Sequence, residues 1–283
     1  MSEVDDVELL KTADEPAFEK AAESRLWGWL VVAALVVATA TAFYMAADRR
    51  HRGAPAAAEP HRPAAKAPVQ PLGGIATPID VPPLDQTDPL VRELVKQITA
   101  NPRIAAWLAT DGLIRTLTVA VVNVADGTTP AGRFRVLRPA SGFETVNRGG
   151  DLRISPRSYE RYDDLADAAA SIDAAGAARL YATLKPRMEE AYRDLGFPDT
   201  PFDRALERAI VSLLRTPPAD GAARLEPKGI GFAFVDPALE GLTAAQKQLL
   251  RTGPRNVRII QSSLRQIALA LGIPAERLPA PPS

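Results

Sequence analysis

Between Arg25 and Asp48 the chain reads LWGWLVVAALVVATATAFYMAA, with no charged residue from Leu26 to Ala47. About 22 residues in a helix, at about 1.5 Å each, cover the roughly 30 Å hydrocarbon core of a bilayer. Trp27 and Trp29 stand at one end and Phe43 and Tyr44 at the other, where amphipathic rings favour the headgroup level. A core helix of a soluble domain is the bland reading, but proline-rich sequence comes next and offers no core to enter. A cleaved signal peptide is the rival, since Ala40-Thr41-Ala42 resembles a processing site. Against it, residues 1–25 are long and acidic, with eight carboxylates facing Lys11, Lys20 and Arg25, whereas a signal peptide carries a short basic n-region. The expectation is an uncleaved transmembrane helix over residues 26–47, preceded by a disordered acidic tail over residues 1–25.

Residues 48–83 hold Pro55, Pro60, Pro63, Pro68, Pro71, Pro78, Pro82 and Pro83 among alanines. Such sequence favours extended polyproline II and buries no core of its own. Fully extended, at about 3.1 Å per residue, it would reach roughly 100 Å. It reads as a Pro/Ala-rich tether that holds the C-terminal part of the chain away from the bilayer.

Beyond it, residues 84–272 read as one mainly α, multi-helix globular domain with a small β-hairpin, and residues 273–283 as a tail. Asp88-Pro89, Asn101-Pro102, Ser155-Pro156, Thr200-Pro201 and Asp236-Pro237 each set a capping side chain before a proline. That pairing starts helices, because the cap oxygen accepts a backbone N–H and proline suits the first turn. Thr243 and Gln246 have capping-box spacing. Apolar residues recur at three and four from Ala177 to Leu195, with Pro186 expected to kink that helix, and again from Phe202 to Leu214 and from Val257 to Leu271. Leu113 to Val124 fits a helix by spacing and a strand by its Thr and Val content. Phe143 to Val146 and Leu152 to Ile154 flank Gly149-Gly150 as a hairpin, and Gly231 to Val235 reads as a further strand.

Composition narrows the chemistry. The chain has no cysteine, and its two histidines, His51 and His61, both lie in the tether. The folded domain therefore lacks the parts for Ser-His-Asp or Cys-His catalysis and for ordinary zinc sites, and no metal or cofactor is expected. With 34 basic and 34 acidic residues, the chain has no basic excess to suggest nucleic acid. Gly229 and Gly231 lack the third glycine of a dinucleotide fingerprint.

Three segments compete as sites. Glu189, Glu190, Tyr192, Arg193 and Asp194 sit on the long helix, where paired carboxylates can divide acid and base roles, although Glu189 and Arg193 have the spacing of a surface ion pair. Tyr159, Glu160, Arg161, Tyr162, Asp163 and Asp164 suit a helix start, or the aromatic and acidic rim of a groove. Lys247, Arg251, Arg255, Arg258 and Arg265 form a basic run near Gln246, Gln248 and Asn256. Spacings of four, four, three and seven turn it towards one side, although Gly253-Pro254 interrupts the register. Arginine forks recognise anions, so Lys247, Arg251, Arg255 and Arg258 are the candidate anion-binding residues, with a solvated polar face as the plain reading. Asp111-Gly112 reads as a turn.

The domain resembles a bacterial family of unknown function, DUF3014. The resemblance is carried by Asp85, Asp88, Arg92 and Glu93, by Trp107, Asp111, Gly112 and Arg115, and by Tyr159, Tyr162 and Asp163. It continues through Glu190, Tyr192, Gly196, Phe197, Pro198 and Asp199, then Gln246, Lys247, Arg251, Gly253, Pro254 and Asn256. It runs over about Leu84 to Leu271 and implies the layout of membrane segment, tether and single domain, with no activity or catalytic residue. Flanking cations count Lys11, Lys20 and Arg25 against Arg49, Arg50, Arg52 and Arg62, which leans towards a cytoplasmic domain. The tether and the resemblance argue for the other face. The expectation is a single-pass protein of the bacterial inner membrane with a periplasmic domain, binding or scaffolding an envelope protein or anionic polymer. A carboxylate hydrolase acting on envelope glycan, using two of Glu189, Glu190, Asp163 and Asp164, is the alternative.

Overall fold

The structure is a computed structural model that describes residues 71–217, 223–229 and 231–280. The expected transmembrane segment over residues 26–47, the expected acidic tail over residues 1–25 and residues 48–70 of the expected tether lie outside the described residues. The helices are α1 (Asp88–Lys96), α2 (Pro102–Leu108), α3 (Leu113–Ala125), α4 (Pro156–Glu160), α5 (Asp163–Ala170), α6 (Ala174–Asp194), α7 (Phe202–Leu214), α8 (Pro237–Glu240), α9 (Ala244–Leu250) and α10 (Pro254–Ala270). The strands are β1 (Thr145–Arg148), β2 (Asp151–Ile154), β3 (Arg224–Lys228) and β4 (Gly231–Phe234). The domain is mainly helical with one small antiparallel sheet.

Helix starts obey the expected chemistry at Asn101, Asp236 and Thr243. Their side chains accept from Arg103 N, Ala238 N and Gln246 N, and Gln246 closes the capping box. Elsewhere the cap is supplied from a distance. Asp88 lies inside α1 and accepts from Gly112 N and Leu113 N at 2.7 and 2.9 Å, so it caps α3, whose own Gly112 has no side chain to do so. Both carboxylate oxygens of Glu189 accept from Phe202 N, the first N–H of α7, because Pro201 and not Thr200 occupies its cap position. Ser155 makes no side-chain cap bond at all. The ambiguous stretch from Leu113 is helix α3: Leu113, Ile114, Ala120 and Val124 are buried along it, and helical spacing outweighs its β-branched content.

The bundle packs α3 on α6 and α7, and α10 on α5, α6 and α7. The 21-residue α6 continues through Pro186 as one helix. Leu184, Tyr192, Phe202 and Leu113 sit almost wholly buried in this main core. Among the described residues no single helix is long and apolar enough to cross a membrane. Helices α2 and α3 qualify together only by length and composition, and a bend of 109° separates them.

The sheet holds one strand more than the hairpin and the further strand at Gly231 to Val235 that were expected. β1 and β2 pair across Gly149-Gly150, both at positive φ, and β3 joins β2 to make the order β1-β2-β3-β4. β3 is hidden in the sequence because it reads RLEPK, with only Leu225 buried. Proline lacks the N–H a central strand needs. β2 pairs with β3 only at Leu225 and Arg224, so Pro227 lies past that ladder and faces β4 alone. Ile154, Leu225, Phe234 and Leu250 form the small core beneath the sheet.

Both ends of the expected domain gain residues. Leu72 is buried, Gly73 N donates to Leu271 O, and Arg187 donates to the carbonyls of Val81 and Pro82. Residues 71–83, expected as the end of the tether, are tied to the domain at Leu72, Gly73, Thr77, Val81 and Pro82, with residues 74–80 exposed. Likewise Ile273 and Leu278, expected in a tail, join the main core. Short apolar residues spaced among prolines carry no period, so their burial leaves no mark in the pattern.

Candidate functional site

The basic run on α9 and α10 does not converge on one surface. Lys247 Nζ donates to the Glu240 carbonyl at 3.0 Å and pairs with its carboxylate at 3.2 Å. Arg251 donates to Phe232 O and lies over the Phe234 ring, tying α9 to the sheet. Arg255 turns the other way, to Asp163 at 3.5 Å and Asp167 at 3.2 Å on α5. Arg265 donates to Pro279 O and holds the C-terminal segment. Arg258 is exposed, and no carboxylate among the described residues pairs with it. These cations are mostly spent on internal contacts, which leaves Arg258 the most open of the group.

Glu240 is the hub of two of those contacts. The Phe234 N–H and then Lys247 hold its carboxyl below the usual value. A carboxyl lowered on folding stabilises above its unfolded pKa, and that contribution fades as pH falls through the depressed folded value. Glu240→Gln should therefore lower stability most at neutral pH, leave it least changed below the depressed folded pKa, and so flatten the acid limb of a stability-versus-pH curve. Denaturant titrations between pH 3 and 7 measure this; an unaltered acid limb refutes it.

The carboxylates named for acid–base chemistry are also engaged, each separately. Glu189 caps α7, Glu190 pairs with Arg187 at 2.9 Å, and Asp164 pairs with Arg103 at 2.7 Å. Asp163 accepts from Asn256 Nδ2 at 2.8 Å. None of the four lines the apolar chamber of the bundle or the recess beside it. Among the described residues no group of His, Cys, Asp and Glu side chains is arranged to hold a metal ion.

Many of the remaining motif residues are braces. Arg115 bridges Asp85 and Asp194. Arg92 donates to the carbonyls of Leu108 and Thr110 and to Asp111, closing the end of α2. Asn256 Nδ2 lies within hydrogen-bond distance of Tyr159 O, Asp163 Oδ1 and Thr252 O. Burial raises the Tyr159 hydroxyl above its usual pKa, so it stays a neutral packing group.

What the bundle does contain is space. A chamber of about 420 Å³ lies between α1, α3, α6, α7 and α10, with Val95, Leu117, Val121, Leu180, Leu206 and Ile267 among its walls. That size falls in the roughly 300–1,000 Å³ range of small-molecule sites. Its lining is apolar almost throughout. Trp107 and Phe134, with ring centroids 6.1 Å apart, close one end. The Trp107 Nε1–H is buried without an acceptor among the described residues.

A second recess, of about 570 Å³, shares Pro130 and Phe134 with the chamber. Its other walls include Arg138, Arg161, Tyr162 and Gln248. The loop from α3 to β1 carries Arg133, Arg135 and Arg138 with no acidic residue between Asp126 and Glu144. Arg161 donates to the carbonyls of Ser158 and Ser141 and stacks over Phe143 and Tyr162. Among the described residues none of these four arginines has an ion-pair partner. Sequence spacing singles out Lys247 and Arg255, which the fold pairs with carboxylates, whereas the mark left in the sequence by Arg133, Arg135 and Arg138 is an acid-free loop.

Fold and site together define a mainly helical domain with an apolar chamber that shares Pro130 and Phe134 with a recess bearing Arg138 and Arg161. The chain belongs to the family described as "Protein of unknown function (DUF3014)", which it matches over residues 113–268. That range runs from the start of α3 into α10 and takes in the sheet and the arginines of the second recess. No curated protein matches the chain, and no solved structure does either.

Proposed function

We propose that this protein is a membrane-tethered binding module of the bacterial envelope, whose domain captures an apolar ligand in the chamber of the helix bundle. The observation that carries this reading is the chamber's size and lining. Covering its apolar walls with an apolar ligand is favourable by about 25 cal/mol per Å² removed from water. An apolar void also gains little from water, which needs polar partners. An occupant of about ten methylenes would contribute about 8 kcal/mol, against an association cost of roughly 4 kcal/mol or more.

The anchor at Leu26–Ala47 and the tether give this capture a location. With residues 71–83 tied to the domain, the proposed tether between anchor and domain is residues 48–70. At about 3.1 Å per residue they reach roughly 70 Å. Ligand taken from one membrane stays within that distance of it. The domain side is proposed as periplasmic on the strength of the tether.

Ala120 on α3 faces the chamber. Ala120→Phe should fill part of it, weaken binding of the neutral fluorophore N-phenyl-1-naphthylamine by at least about tenfold, and leave the melting temperature equal or higher. Filling a void recovers packing, whereas overfilling a dense core costs about 1–3 kcal/mol. The measurement uses the full chain in zwitterionic nanodiscs with empty nanodiscs as reference. Unchanged dye affinity in a folded variant overturns the reading, as does a wild type that takes up no dye.

A further inference from the structure

The chamber and the recess beside it differ in chemistry, and they share a wall. Phe134 and Pro130 line both. On one side the surface is apolar; on the other stand the guanidinium groups of Arg138 and Arg161 and the hydroxyl of Tyr162. Arg161 spends its bonds on carbonyls and a phenol, so its charge is uncompensated among the described residues. Arg138 is exposed. We propose that the domain binds a single-chain phospholipid with a net negative head, its acyl tail in the apolar chamber and its phosphate against Arg138 and Arg161. This rests on the chamber being the ligand site, as proposed for the domain's function.

Three features set the ligand class. The chamber's 420 Å³ holds about fourteen groups the size of a water molecule at roughly 30 Å³ each. Methylenes are of that size, so one acyl chain fits and two do not. The recess is larger, at about 570 Å³, which is more room than a bare carboxylate would use. Arginine is suited to the phosphate because its planar fork makes paired, charge-assisted bonds.

The test displaces N-phenyl-1-naphthylamine from the full chain in zwitterionic nanodiscs. The competitors are lysophosphatidylglycerol, lysophosphatidylcholine and the free fatty acid of the same chain length, each below its micelle concentration. Both lysophospholipid heads carry the phosphate, but the choline cation of the zwitterionic one stands against the two guanidinium charges, so the anionic head should compete about tenfold better. Arg138→Gln and Arg161→Gln should each remove most of that preference while leaving dye affinity unchanged. Arg161 also braces the loop, so the exposed Arg138 keeps the experiment decisive if Arg161→Gln fails to fold. Equal displacement by the two lysophospholipids, or an Arg138→Gln variant that keeps the preference, overturns the head assignment and leaves the apolar site standing. A fatty acid that competes as well as lysophosphatidylglycerol overturns the phospholipid. Failure of the wild type to take up dye removes the chamber reading itself.

Discussion

Asp203→Ala should lower the stability of the domain by about 3 kcal/mol and loosen residues 71–83 from its surface. Asp203 stands in the first turn of α7 and accepts three bonds: from Tyr181 Oη at 2.5 Å, from Lys185 Nζ at 2.5 Å and from Leu72 N at 3.2 Å. Tyr181 and Lys185 are four apart on α6, so one carboxylate clasps that helix, its neighbour α7 and the strap that crosses them. The Lys185 and Asp203 side chains keep only 20% and 13% of their exposure. Removing one partner of a buried ion pair costs about 3–5 kcal/mol, because the other charge stays behind unpaired. The residual solvent contact places this case at the lower end. Burial, and next the bond to Asp203, push the Tyr181 hydroxyl well above its usual pKa, so the phenol stays a neutral donor and cannot replace the lost negative charge by ionising.

The size of the loss is read from denaturant unfolding, and for a domain of this size each kcal/mol moves the melting temperature by about 2–4 °C. Protection of the Leu72 amide in hydrogen exchange reads the strap separately. A double-mutant cycle isolates the pair: in a Lys185→Met background Asp203→Ala should cost less, since no stranded ammonium remains. Equal costs in the two backgrounds would mean that Asp203 matters for its bonds to Tyr181 and Leu72 alone.

The parts of this fold legible in the sequence are those whose cause is local. Asn101, Asp236 and Thr243 cap the helices they precede, and Gly149-Gly150 turns the hairpin they occupy. Where the cause is a distant partner, the pattern misleads. Asp88 has the place of a cap for α1 and caps α3. Lys247 and Arg255 have the spacing of a free basic face, but Glu240, Asp163 and Asp167 arrive from other elements to neutralise them. The chamber is invisible for a related reason. Periodicity shows that α3, α6, α7 and α10 each present an apolar stripe, and says nothing of whether the stripes meet. Arg138 has no periodic neighbours to draw attention to it, and Arg161 is visible only as part of a possible groove rim.

Gly253→Ala is expected to cost about 3 kcal/mol and to act at the joint between the sheet and the bundle. Gly253 precedes α10 with φ 94° and ψ 161°, a region that non-glycine residues occupy only at a cost of about 1–3 kcal/mol. Space is the second obstacle. A Cβ there would stand 2.5 Å from Cγ of Tyr159, and forcing an atom into a filled site adds about 1–3 kcal/mol. Tyr159 cannot step aside freely. Its ring packs in the small core under the sheet with Phe143 and Leu152, and its carbonyl accepts from Asn256, three residues beyond Gly253. The segments Tyr159–Asp163 and Gly253–Asn256, which carry much of the family resemblance, therefore interlock: a glycine receives the ring and an asparagine ties down the chain behind it. Tyr159→Ala relieves the collision but not the backbone strain. In that background Gly253→Ala should cost only the strain, about 1–3 kcal/mol, so the two substitutions should be less than additive by denaturant unfolding. Strict additivity would show that the ring and the glycine do not meet.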